Sequence, residues 1–110
     1  MHFQINEKNI VTDIDGYLIN LNDWNPDVAI HIASQENIQL SEAHWEIIYL
    51  LQAFYQEFEI SPAMRALVKY TEKKLGCEKG KSIYLLQLFP QSPAKIACKI
   101  AGLPRPTNCL

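Results

Sequence analysis

The chain opens on a weak alternation. Phe3, Ile5, Ile10 and Val11 flank the polar run Asn6-Glu7-Lys8-Asn9, the pattern of a short β-hairpin. Asp13-Ile14-Asp15-Gly16 is a second turn signal, and Tyr17-Leu18-Ile19 reads as one more short strand. From Trp24 onward the apolar spacing becomes helical. Asn25-Pro26, Ser61-Pro62 and Ser92-Pro93 each set a capping side chain before a proline, which predicts three helix starts. Ser41 predicts a fourth, over about Glu42 to Phe58. Its apolar residues Trp45, Ile48, Tyr49, Leu51, Phe54, Tyr55 and Phe58 cover more than one face, as expected of a central helix. The helix from Pro62 carries Met64, Leu67, Val68 and Leu75 and is predicted to stop at Gly76 in a left-handed turn. A shorter helix spans about Ser82 to Leu88, and a last one runs from Pro93 to about Ala101, before Gly102. The expected fold class is α+β, mostly α: one helical domain over residues 1–102 with an N-terminal β-hairpin, then an extended C-terminal arm over 103–110.

Composition keeps that picture and narrows it. The 110 residues suit one core, and 48% hydrophobic with 20% charged residues argues against disorder. No apolar stretch is long enough to span a bilayer and no charged start precedes one, so the expectation is a cytoplasmic chain without membrane contact. Charge is divided along the chain. All twelve acidic side chains lie before residue 79, whereas Lys79, Lys81, Lys95, Lys99 and Arg105 follow with no acid among them. A basic end on an acidic body suits docking to an anionic partner; a solvated helix face is the plainer reading.

The arm holds the candidate chemistry. Leu103-Pro104-Arg105-Pro106-Thr107-Asn108-Cys109-Leu110 is barred from helix by its prolines and reaches at most about 25–30 Å when extended. A thiol near the tip of such an arm is placed to enter another protein's active site; a frayed terminus with an incidental cysteine is the alternative. A continuing helix would hold Cys98 and Cys109 about 16 Å apart. Gly102 and the prolines let the chain turn back, so a reversible Cys98–Cys109 disulfide stays open beside a plain core role for Cys98. Cys77, after Gly76, reads as an incidental loop thiol. The odd cysteine count and the spacing of His2, His31 and His44 give no disulfide framework and no metal site.

Taken together these residues resemble the TusE/DsrC family of small sulfur carriers, the TusE branch more than the DsrC branch. The resemblance rests on Asp15-Gly16-Tyr17-Leu18, His44-Trp45-Glu46, Phe54-Tyr55, Ser61-Pro62-Ala63, Arg65, Leu67-Val68-Lys69 and Leu88-Phe89-Pro90. Its most specific part is Pro93-Ala94-Lys95, then Lys99-Ile100-Ala101-Gly102-Leu103-Pro104, Pro106 and Cys109. The resemblance implies a sulfurtransferase that takes sulfur as a persulfide on Cys109 from a TusBCD-like complex. It then passes that sulfur to an MnmA-like tRNA thiolase, for 2-thiolation of the wobble uridine. No cofactor is implied. Cys98 stands where DsrC proper has its second cysteine, so a two-cysteine carrier serving dissimilatory sulfite reductase is the alternative. A third reading is a helix-turn-helix DNA-binding module using Arg65, Lys69, Lys73 and Lys74. The negative net charge argues against it, and no DNA partner is expected.

Overall fold

The computed structural model describes residues 1–106. Strands β1 (His2–Ile5) and β2 (Lys8–Val11) pair antiparallel, with Phe3 opposite Ile10. Asn6 and Glu7 join them at φ 52° and 69°, the two left-handed positions that a tight hairpin turn with the strands' own twist requires. Ile10 alone of β2 is buried, so the ribbon rests one face on the helices. The predicted third strand reduces to a single bridge between Thr12 and Leu18, because Asp13–Tyr17 is spent on a tight turn.

A short 3₁₀ turn, Leu21–Asp23, leads into α1 (Pro26–Gln35). Asn25 caps α1 as expected, its side chain accepting from the Val28 N–H at 3.0 Å. Helix α2 (Glu42–Phe58) begins with a capping box in which His44 fills the return position. It ends on Glu59 at φ 58°. Helix α3 spans Met64–Leu75, α4 Ser82–Leu88 and α5 Pro93–Ile100. The Ser61-Pro62 signal marks the wrong start for α3. Ala63 stands at its N-cap, Pro62 is buried in the approach, and the Ser61 hydroxyl donates to the Pro104 carbonyl instead. Ser92 does stand at the N-cap of α5 with Pro93 next, but makes no side-chain capping bond. Gly76 ends α3 with positive φ but an extended ψ of 164°, not the left-handed turn expected.

The centre of the molecule is α5 rather than the longer α2. It packs against α1, α2, α3 and α4, whereas α2 packs mainly against α3 and α5. The cause is side-chain size: Ala94, Ala97, Cys98 and Ala101 are small enough to admit neighbours from several directions. Phe89, Leu85, Ile32, Ile47, Leu51, Leu67 and Ile100 fill the space around it with no exposure above 1%.

Candidate functional site

How the chain leaves α5 decides where the arm starts. The Gly102 N–H donates to the Lys99 carbonyl at 3.2 Å and the Leu103 N–H to the Cys98 carbonyl at 2.9 Å. With Gly102 at φ 79°, this pair of bonds is the Schellman motif. It satisfies two carbonyls at the end of α5 and reverses the chain's direction. Only glycine fits there: a Cβ would stand 2.4 Å from Trp24 Cδ1. The Trp24 ring is itself fixed, its Nε1–H donating to the Ile100 carbonyl at 2.8 Å. Gln52 reaches from α2 to the Ala101 carbonyl at 3.0 Å. The exit from α5 is therefore tied by its own closing turn, by Trp24 and by Gln52 of α2.

The first half of the expected arm is held against the body, with Leu103 and Pro106 buried and Pro104 and Arg105 exposed. Leu103 is 4% exposed and joins the core, so the body extends beyond the boundary drawn after residue 102. Its side chain meets the core because the Schellman reversal points it back under the helix. Pro104 is held through its carbonyl by Ser61, and Pro106 is buried. Between them the exposed Arg105 pairs with Asp15 and lies over the Tyr17 ring, its Cζ 5.5 Å from the centroid. The Asp15 carboxylate holds the Arg105 guanidinium above its already high ordinary pKa. Lys99 Nζ faces the same ring at 5.4 Å and pairs with Glu36 at 3.2 Å. A cleft of about 160 Å³ flanks Pro104 and Arg105, walled by Tyr55, Glu59, Ile60 and Ser61.

Of the candidate residues, Cys98 is fully buried on α5 among the small residues of the packing centre. Cys77 is exposed beyond α3. Cys109 lies outside the described residues. Arg65, Lys69, Lys73 and Lys74 are exposed along α3, interspersed with Glu72. Among the described residues no cluster of His, Cys, Asp and Glu could hold a metal ion, and no helix is long and apolar enough to cross a membrane.

Two features escaped the sequence reading. Asp15 and Arg105 are 90 positions apart, and nothing local joins them. His44 was read for metal spacing and within the His44-Trp45-Glu46 match, not as a capping residue. Its ring accepts the Ser41 N–H at Nδ1 (3.0 Å), while Nε2 meets the Leu88 carbonyl at 2.7 Å. The first bond requires an unprotonated Nδ1, so the neutral ring with its proton on Nε2 satisfies both partners. It thus ties the start of α2 to the end of α4. Serine followed by histidine three residues later was the available signal.

A family model described as "DsrC like protein" matches residues 4–110. The chain belongs to the DsrC-like family. Among curated proteins, this DsrC-like chain is 54% identical over 106 residues to the "Sulfurtransferase TusE homolog" of Haemophilus influenzae, covering 96% of this chain and 97% of that one. It is 51% identical over 107 residues to "Sulfurtransferase TusE" of Sodalis glossinidius, covering 97% and 99%. Its fold matches the solution structure of DsrC from Allochromatium vinosum with TM-score 0.90 at 51% identity, both chains covered in full. The oxidized γ-subunit of the dissimilatory sulfite reductase (DsrC) from Archaeoglobus fulgidus follows with TM-score 0.85 at 36% identity, again over both whole chains. The expected fold class and family resemblance both stand, and the relatives' names place the chain among sulfur-transfer proteins.

Proposed function

We propose that the chain is a cytoplasmic sulfur carrier that holds sulfur as a persulfide on Cys109. It takes the sulfur from a TusBCD-like complex and delivers it to an MnmA-like thiolase, for 2-thiolation of the wobble uridine in tRNA. The observation that carries this reading is that proteins named Sulfurtransferase TusE resemble it at about half identity over nearly its whole length. The packed base of the arm supports it, since Leu103 gives a thiol carrier a fixed point from which to extend.

The chemistry is two exchanges of one sulfur. The Cys109 thiolate attacks the outer sulfur of a donor persulfide; an S–S bond forms at Cys109 as the donor's S–S bond breaks, and the donor leaves as a thiolate. An acceptor thiolate then attacks that outer sulfur, and Cys109 departs as thiolate. Neither exchange needs an outside oxidant or reductant. Arg105, four positions before Cys109 in the sequence, adds a positive charge that favours the anion that must attack.

A second reading is the two-cysteine carrier of the DsrC branch, partnered by dissimilatory sulfite reductase. It draws support from Cys98 and from the Schellman reversal, which turns the chain back after α5. There the Cys98 thiolate attacks the inner sulfur of the Cys109 persulfide, closing a disulfide and expelling sulfide. Intact mass after incubation with a persulfide donor tests both. A gain of one sulfur that vanishes in Cys109→Ser and survives in Cys98→Ala is expected for the carrier. A loss of two hydrogens requiring both cysteines would favour the second reading, and no change in the unaltered chain would defeat the first.

A further inference from the structure

Exposed cations gather on one face where no acid answers them. Arg65 and Lys69 lie one turn apart on α3, and Lys95 stands in the first turn of α5. Lys8, Lys79, Lys99 and Arg105 are each paired with a carboxylate, but among the described residues Arg65, Lys69 and Lys95 have no ion partner. The unpaired cations border two adjoining depressions that share Met64 and Ser82. One, of about 300 Å³, is walled by Leu86, Pro93 and Ala94, with Lys95 on its border. The other, of about 310 Å³, runs along α3 past Val68, with Arg65 and Lys69 beside it. The short side chains of Pro93 and Ala94 leave the space open, and Leu86 is 41% exposed next to it.

The lining decides what such a groove can hold. Among the described residues that line it there is no Asp or Glu, and no aromatic ring. Cations around an apolar floor fit a chain that carries carboxylates and also has a large apolar side chain to bury. A nucleic acid would engage the cations, but its bases would find no ring to stack on. Charge elsewhere sharpens the choice. All twelve acidic side chains lie before residue 79 and the net charge is -2, so an acidic segment is repelled by the molecule as a whole and drawn to this face.

We propose that the groove formed by α3, α4 and the start of α5 is a docking site for an acidic peptide segment of a partner protein. A large apolar side chain of that segment rests on Met64, Val68 and Leu86, while its carboxylates meet Arg65, Lys69 and Lys95. None of the residues around the cleft at Pro104 and Arg105 takes part, and the site is independent of the chemistry proposed for Cys109. The exposed charges set orientation and speed of encounter; the apolar contact holds the segment once it arrives.

The test is a display selection of random short peptides on the full chain, followed by fluorescence anisotropy of the enriched ones. Enriched peptides are expected to combine Asp or Glu with Leu, Ile, Met or Phe, and to bind less tightly as salt is added. Arg65→Glu, Lys69→Glu and Lys95→Glu should each weaken binding about three- to tenfold. Leu86→Asn, which leaves the charge unaltered, should weaken it about tenfold. Lys73→Glu makes the same change of net charge on α3 outside the groove, and should alter the affinity less than about twofold. Peptides without an excess of acids overturn the proposal, as does an equal loss with Lys73→Glu or a failure to enrich any peptide that the groove variants weaken. A single-stranded RNA that binds more tightly than the best peptide, and is weakened by the same variants, would give the groove to nucleic acid and overturn it likewise. All five substituted side chains are exposed, so melting temperatures should stay within a few degrees. Should a variant unfold, amide NMR shifts of the unaltered chain on adding the best peptide read the same face. Shifts over residues 64–69, 82–86 and 91–95 are expected, and shifts confined to other residues overturn the proposal.

Discussion

Replacing Gly102 with alanine puts the exit from α5 under direct strain. Two costs arise. An L-residue held near φ 79° gives up about 1–2 kcal/mol. The added methyl also lies 2.4, 2.7 and 2.9 Å from Trp24 Cδ1, Cγ and Cβ, inside any tolerable contact. Trp24 cannot swing away freely, because its Nε1–H is bonded to the Ile100 carbonyl. Overpacking of this kind adds about 1–3 kcal/mol, for a total of about 2–5 kcal/mol. For a domain of this size that lowers the melting temperature by roughly 8–20 °C. The assay is thermal unfolding followed by circular dichroism, repeated in a Trp24→Ala background. There the two closest contacts, to Cδ1 and Cγ, are gone, and Gly102→Ala should cost nearer 1–2 kcal/mol beyond Trp24→Ala itself. Equal costs in the two backgrounds would refute the clash. A cost near zero in the unaltered background would refute the positive φ as well, and with it the Schellman exit.

Ending the chain after Gly102 should cost about 2–3 kcal/mol by circular-dichroism melting, the value of a buried leucine, since Leu103 is 4% exposed. A change under half a kcal/mol would mean Leu103 does not share the core. His44→Ala should cost about 1–3 kcal/mol in urea titration by freeing the Ser41 N–H and the Leu88 carbonyl together; a cost no larger than that of an exposed substitution would break the link between α2 and α4. Burial, reinforced by Glu57, raises the Tyr70 hydroxyl above its ordinary 10.0. The folded chain then holds that proton more firmly than the unfolded one, so the contribution is complete below pH 10 and lost as pH rises beyond it. Tyr70→Phe should therefore flatten the alkaline fall in stability, and an identical alkaline limb in the variant would contradict the assignment.

Local chemistry was legible in the sequence, and long-range use of the same residues was not. Asn25-Pro26 started α1 and Ser41 started α2, because in each the capping group acts on its own neighbours. Ser61-Pro62 carries the same signature but serves another task, its hydroxyl engaged by Pro104, 43 positions on. The breadth of apolar residues on α2 suggested the centre, yet α5 took it through small side chains, which an apolar count undervalues. At the candidate site, the penultimate cysteine and the stiff proline segment stood out by composition. The Asp15–Arg105 pair did not, since an aspartate in a turn gives no sign of which distant cation it will meet.

Placing the packing centre on the fifth helix also governs the order in which the molecule can come into being. Helices α1 to α4 emerge first during synthesis; α2 can pair with α3 and α3 with α4, but the surface that all four share arrives only with α5. A nascent chain stopped before residue 93 has hairpin, helices and much apolar surface but no common partner for them, and should be recognised as unfinished by proteases. Acquisition of a stable core thus coincides with completion of the C-terminal region. Folding itself then separates complete from interrupted chains: fragments that lack α5 have no shared core and do not persist.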